Sequence, residues 1–392
     1  MANGQDIWVS AFEVLVAHYD AALIELRRQL GSVAVEHGAN SPQVAEVRAR
    51  IDEATAKRDE AAAEHARVSA QMAAKAVTVA AAAAATPEPE PKPRTRKKKD
   101  PGDVSRSDLK LIDASTQIMS SPPEGEDMAF THAVLCQVGL PRKEFKGREF
   151  MRQSGATWIN VQAGLLDEGA GPVEQPIPYG PLPRLALAWI SSQAMREKSR
   201  EIFIGDSASE FLKMLGKPTT GGPRGSYTSL RKQMHALAAC RLQMGFKGRT
   251  YNGQPVEQFD AWVANKDTGQ HSLWPGVMKL SEGYFGSLLD SAVPLDNRAL
   301  LALSDSALAL DVYAWLAHRL HRIEGRGITL HWKSLREQFA QEYQGKNPHK
   351  DFRDAFLLQL KKVLAVYPTA RVKPVTGGLL LLGSPPPVSP KK

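Results

Sequence analysis

The chain has 392 residues, 43% apolar and 23% charged, with a formal net charge of +8. That length predicts two or three units rather than one core. No apolar run is long enough to span a bilayer, and the N-terminal MANGQDIWVSAFEV lacks the basic start and apolar core of a secretory signal. Two cysteines, Cys136 and Cys240, without paired spacing argue against a disulfide framework or a thiolate zinc site. They are expected to be buried thiols in a reducing cytoplasm.

Residues 1–76 are predicted to be a helical extension. Ile7, Phe12, Leu15, Leu23, Leu26 and Leu30 approximate a helical stripe, 31–42 is a break, and Val44, Val47 and Ile51 begin a second helix. Its later turns are rich in Ala, Glu, Lys and Arg but poor in apolar stripe. A self-associating hairpin or coiled coil and a solvated, frayed helix both fit. Residues 77–107, with PEPEPKPRTRKKK, are expected to be a flexible linker because alternating prolines cannot continue a helix. Its basic knot would either touch phosphates without sequence preference or only keep the spacer soluble.

From Leu109 the pattern predicts dense structure. THAVLCQVGLP and TWINVQAGLL are expected to be strands, with RKEFKGREFMRQSG a basic loop or hairpin between them. PLPRLALAWISSQAMREKS is a helix opened by proline, and REIFIG a short strand. SASEFLKMLG is a helix with Ser207 as cap, Glu210 three residues on and Gly216 as its stop. GPRGSYTS leads into a helix burying Leu230, Met234 and Leu237. CRLQMGF and QFDAWVA follow as strands joined by KGRTYNGQ. This order is that of a winged helix.

The order then recurs. A helix capped at Ser304 carries Leu308, Val312, Trp315, Leu316 and Leu320 inward, and GITLHW is a strand. KSLREQFAQEYQ is a short helix. PHKDFRDAFLLQLKKVLAVYP is a long one with Phe352, Phe356, Leu360, Val363 and Leu364 on its core face. Two strands about KPVTGG close the unit before a disordered Pro-rich tail. The expected fold is α+β, mainly helical: two tandem winged-helix domains over 108–275 and 276–384, behind the helical extension and disordered linker, with 385–392 as the tail.

The charge is clustered. Residues 211–256 hold no Asp or Glu and eight cations: Lys213, Lys217, Arg224, Arg231, Lys232, Arg241, Lys247 and Arg249. Those eight account for the whole net +8. A helix placed in the major groove needs Lys and Arg for phosphates and guanine edges, and carboxylates nearby would repel phosphates. The DNA-contacting residues expected of the first unit are Arg224, Ser226, Tyr227, Arg231, Lys232, Arg241, Lys247 and Arg249. Those of the second are Lys346, His349, Lys350, Arg353, Lys361, Arg371 and Lys373. Asp351 and Asp354 in the second helix either accept from a cytosine amino group or pair with neighbouring cations.

Catalytic signatures are thin. His318 and His321 in HRLH fit helix-surface residues better than metal ligands, and TTGGPRGS lacks the Lys-Ser/Thr ending of a phosphate loop. Neither an enzymatic activity nor a metal or other cofactor is expected.

KLIDASTQIMSSPPEGEDMAFTHAVLCQVGLPR, PYGPLPRLALAWISSQA and FRDAFLLQLKKVLAVYPTARVKPVTGGLLLLGSPPPV resemble the plasmid-encoded RepA-type replication initiator family, over roughly 110–388. The resemblance implies a cytoplasmic bacterial protein of tandem winged-helix units that binds double-stranded repeats (iterons) at a plasmid origin. It also implies origin opening, contact with the host replicative helicase and host initiator, and repression of its own gene as a dimer, with a monomer on the origin. The alternative is a dimeric winged-helix transcriptional regulator. Tandem units favour the initiator, since one chain then spans successive major grooves.

Overall fold

The computed structural model describes residues 16, 19–20, 22–34, 38, 41–84, 106–168, 171–246, 248–259, 274, 276–340 and 347–389. The chain divides into two units, Met1–Lys99 and Asp100–Lys392. In the first, residues 22–34 are helical (α1) and Pro42–Ala84 forms a long helix (α2). Leu23, Leu26, Val44 and Val47 are buried, and Arg58 on α2 reaches back to Asp20 at 3.1 Å. Helix α2 outlasts its apolar stripe because alanine is the best helix former and Glu53–Lys57 pairs one turn apart at 2.7 Å. It therefore runs to Ala84, past the linker start expected at 77. Residues 1–15 and 85–105, with Ile7, Phe12, Leu15 and the basic knot, lie outside the described residues.

The second unit is mixed α/β and contains one element series twice. The first copy runs α3 (Arg106–Ser120), β1 (Met128–His132), α4 (Ala133–Gln137), then β2 (Glu149–Ser154), β3 (Thr157–Gln162), β4 (Leu165–Asp167) and β5 (Pro172–Glu174). It continues through α5 (Pro181–Glu197), β6 (Glu201–Phe203), α6 (Ala208–Met214), α7 (Ser226–Ala239), β7 (Arg241–Phe246), β8 (Arg249–Gly253), β9 (Val256–Phe259) and β10 (Val277–Leu280). The second runs α8 (Glu282–Ser291), β11 (Ala292–Asp296), α9 (Asn297–Ala302), α10 (Ala307–Leu320), β12 (Ile328–His331), α11 (Trp332–Phe339), α12 (Pro348–Val366), β13 (Val372–Val375) and β14 (Gly378–Leu381).

The sheets match as well. The first copy builds β6-β10-β9 and the second β12-β14-β13, so in each the strand after α5 or α10 pairs with the last strand of the closing hairpin. The two copies join through β1 and β11, antiparallel from Met128↔Asp296 to His132↔Ala292. Beyond the shared series, the first copy carries two insertions, β2–β5 and β7–β8. They combine into a four-stranded sheet, β2-β3-β7-β8, and a small β4-β5 hairpin.

One core serves both copies. Helix α10 is buried on nearly every side, with Trp315 edge-on to Phe339 at 5.3 Å and Tyr313 edge-on to Tyr367 at 6.0 Å. A helix apolar all round belongs inside a protein, and each large side chain so buried contributes about 1.5–3 kcal/mol.

The structure departs from the expected elements at several points. The strand expected over THAVLCQVGLP stops at His132, whose Nδ1 caps α4 by accepting from Val134 N at 3.2 Å. KGRTYNGQ is not a turn between CRLQMGF and QFDAWVA: its residues Arg249–Gly253 are β8, which pairs with β7 in the inserted sheet, and the hairpin returning to β6 is β9–β10. Of QFDAWVA, residues 260–264 lie outside the described residues. Helix α10 is capped by Ser306, not Ser304, with its hydroxyl accepting from Ala309 N at 3.2 Å. The start of the expected tail is held: Tyr367 donates its hydroxyl to Pro385 O at 2.8 Å and Val388 is buried. Elements α8, β11 and α9 had no counterpart among the expected elements.

Candidate nucleic-acid interface

The last helix of the first copy, α7, begins on a folded loop. Thr220 N donates to Ser226 Oγ at 2.8 Å, Ser226 N to Thr220 Oγ1 at 3.0 Å, and Thr228 Oγ1 to Gly222 O at 2.9 Å. Gly222 takes φ +89°, a left-handed conformation that glycine adopts without strain. Arg224 is exposed in this loop, while Ser226 and Tyr227 are half-buried at the helix start. From Gln233 to Ala239 every residue of α7 is buried. The surface of the helix is therefore its N-terminal half: Thr228, Ser229, Arg231 and Lys232.

Acids absent from this segment in sequence are present in space. Arg231 pairs with Glu168 at 3.3 Å, and His235 meets the other oxygen of the same carboxylate at 3.1 Å. Gln175 donates to Glu168 as well, at 2.7 Å. Partial burial raises the Glu168 carboxyl, but the hydrogen bonds from Gln175 and His235 and the nearby cations outweigh it and hold the group below its usual range. Lys232 pairs with Glu144 at 2.8 Å and lies over the Tyr179 ring at 5.4 Å. This pair is exposed on both sides, so it is worth about 0–1 kcal/mol and exchanges easily for a phosphate.

The remaining cations of the acid-free segment disperse. Lys217 donates to Ser304 O and Asp305 in the second copy. Arg241 and Arg249 sit on β7 and β8 of the inserted sheet, not on a hairpin beside α7, and Arg241 Nε donates to Asn252 at 3.0 Å. Lys247 lies outside the described residues.

The last helix of the second copy, α12, is laid out differently. Phe352, Phe356, Leu360, Val363 and Val366 face the core, leaving Lys350, Asp351, Arg353, Asp354, Leu358 and Lys361 exposed along successive turns. Pro348 stands in the first turn, where its missing N–H costs no helical bond. Asp354 pairs with Arg353 at 3.3 Å, which matches the neighbouring-cation reading of that acid. His349 Nε2 accepts from Arg336 of α11 at 3.2 Å, pinning the start of α12. At the hairpin, Arg371 is tied to its base, N to Ser384 Oγ at 2.9 Å and Nε to Gly383 O at 3.1 Å, while Lys373 on β13 is exposed. Gly378 admits no Cβ, because the Leu330 carbonyl of β12 occupies its place. Lys346 lies outside the described residues.

The histidine pair expected at a helix surface divides: His318 is buried, and burial with the nearby Arg322 pushes its ring down to about 4. Among the described residues no group of His, Cys, Asp and Glu is arranged to hold a metal ion, and no helix is long and apolar enough to cross a membrane.

A repeated helix–strand–helix–helix–hairpin series, with the open cationic helix α12 in its second copy, defines a two-module α/β protein with a surface suited to a polyanion. The family model of the plasmid encoded RepA protein matches residues 177–334, from ahead of α5 into α11. Over that span the chain is similar to RepA-type proteins, which supports the resemblance seen in its sequence to plasmid replication proteins. No curated protein and no solved structure matches the chain.

Proposed function

We propose that this chain is a plasmid replication initiator that binds repeated double-stranded sequences through two winged-helix domains, over 108–275 and 276–384. The observation that carries the reading is the uncovered face of α12, which offers Lys350, Arg353 and Lys361 along its length in a RepA-type chain. In this reading α12 enters the major groove, Arg353 and Lys350 reach base edges or phosphates, and Arg371 and Lys373 follow the backbone from the hairpin. The first domain grips phosphates through Arg224, Ser226 and Lys232 at the start of α7. Its buried C-terminal half does not enter a groove.

Origin opening, recruitment of the host helicase and host initiator, and self-repression as a dimer complete the proposal and follow the family resemblance. No catalytic step is part of it. A footprint of the full chain on DNA flanking its own gene tests the reading. Regularly spaced protected repeats beside an AT-rich stretch are expected. One short operator would mark a transcriptional regulator instead, and an absence of protection would overturn DNA binding altogether.

A further inference from the structure

The insertion that builds β2–β5 also sets a basic loop beside α7. Residues 141–148 read PRKEFKGR, four cations and one acid. Both ends of the loop are fixed. Pro141 O accepts from Gly180 N at 3.0 Å and from Arg184 Nη1 at 3.1 Å, and Arg148 O accepts from Ala163 N at 2.8 Å. In the middle, Phe145 packs edge-on against the buried Phe150 at 5.5 Å. Residues 143–149 are nevertheless exposed, so the loop is shaped without being covered.

Its charges are unevenly used. Glu144, the one acid, pairs with Lys232 of α7, and Arg148 pairs with Glu174 at 2.6 Å. Lys143 and Lys146 make no hydrogen bond or ion pair among the described residues. The same insertion carries the β4-β5 hairpin, and Glu168, directly after β4 in the connection between its strands, takes Arg231. It thus removes one cation from the helix and presents two on the adjoining loop. The second copy has no such insertion, and its α12 is open along its length.

We infer that loop 141–148 is a backbone-phosphate clamp for duplex DNA beside α7, with Lys143 and Lys146 as its contacts. Phe145 and the anchored ends hold it in shape, so little ordering cost is paid on binding. The inference rests on the reading of the chain as a duplex-binding protein.

The test compares the full chain with Lys143→Ala/Lys146→Ala on an origin-repeat duplex and a random duplex, by fluorescence anisotropy between about 50 and 200 mM salt. Affinity should fall about tenfold on both DNAs, and the log–log salt slope should shrink by about two, one per phosphate contact. Lys143→Arg/Lys146→Arg should retain both. A folded alanine variant with unchanged affinity and slope overturns the clamp alone. A wild-type chain that binds neither duplex overturns the clamp together with the function proposed above.

Discussion

Arg184 on α5 and Asp311 on α10 form a buried bidentate ion pair that joins equivalent helices of the two copies. Nε donates to Oδ1 at 2.6 Å and Nη2 to Oδ2 at 2.9 Å, with the side chains 9% and 7% exposed. The other guanidinium nitrogen donates to the carbonyls of Pro141 and Gly180, so the charge is fully partnered. Gly139 leaves the carboxylate its space, since a Cβ there would collide with Asp311. Asp311→Ala should therefore cost about 3–5 kcal/mol, because it strands a buried guanidinium. Urea denaturation reads this, and a loss below about 1 kcal/mol would show that water reaches Arg184. Replacing both partners with apolar residues should recover much of the loss.

On α12, Lys350→Ala/Arg353→Ala should reduce affinity for an origin repeat more than for random duplex. A base contact is worth about 1–3 kcal/mol of discrimination, whereas a lost phosphate contact weakens both DNAs alike. Competition binding distinguishes the two. Equal losses would assign the face to phosphates alone.

His132 gives a pH prediction. Its Nε2 lies between Ser287 Oγ at 2.8 Å and Ser291 Oγ at 2.9 Å, its Nδ1 accepts from Val134 N, and burial pushes it from 6.5 down to about 4. The unfolded chain binds this proton more readily than the folded one. Stability is thus full above pH 6.5 and falls as pH drops toward 4, by on the order of 3 kcal/mol. His132→Gln should flatten that slope in denaturation curves taken across the window. An unaltered slope would show that the ring is protonated in the folded state.

Glu168→Ala should leave Arg231 and the buried His235 without their shared acceptor, at a cost of about 1–3 kcal/mol. The same change frees Arg231 as a cation, so duplex affinity per folded molecule should rise. A fall in affinity would mean that the β4-β5 hairpin positions α7 for DNA rather than neutralising part of it.

Much of the repeat was readable in the chain. Ser207 does cap α6, accepting from Glu210 N at 3.2 Å, and Gly216 takes φ +66° beyond its end. Leu230, Met234 and Leu237, like Phe352, Phe356, Leu360 and Val363, are buried as their spacing required. The insertions were not readable: β7–β8 has the length of a closing hairpin, and the pairing of β7 with β3 leaves no local mark. The series α8–β11–α9 was missed because β11 finds its partner in β1, far away in sequence.

The sequence alone determined most of the longer helices, which of their faces turn inward and that one order of elements occurs twice, because periodicity and capping act over a few residues. Only the tertiary structure decided which cations remain available. Charge is neutralised through space, so Glu168 and Glu144 reach Arg231 and Lys232 although the segment holding those cations contains no acid. On α12, Asp354 spends part of Arg353 locally, while Lys350 and Lys361 stay open along a face that no insertion covers.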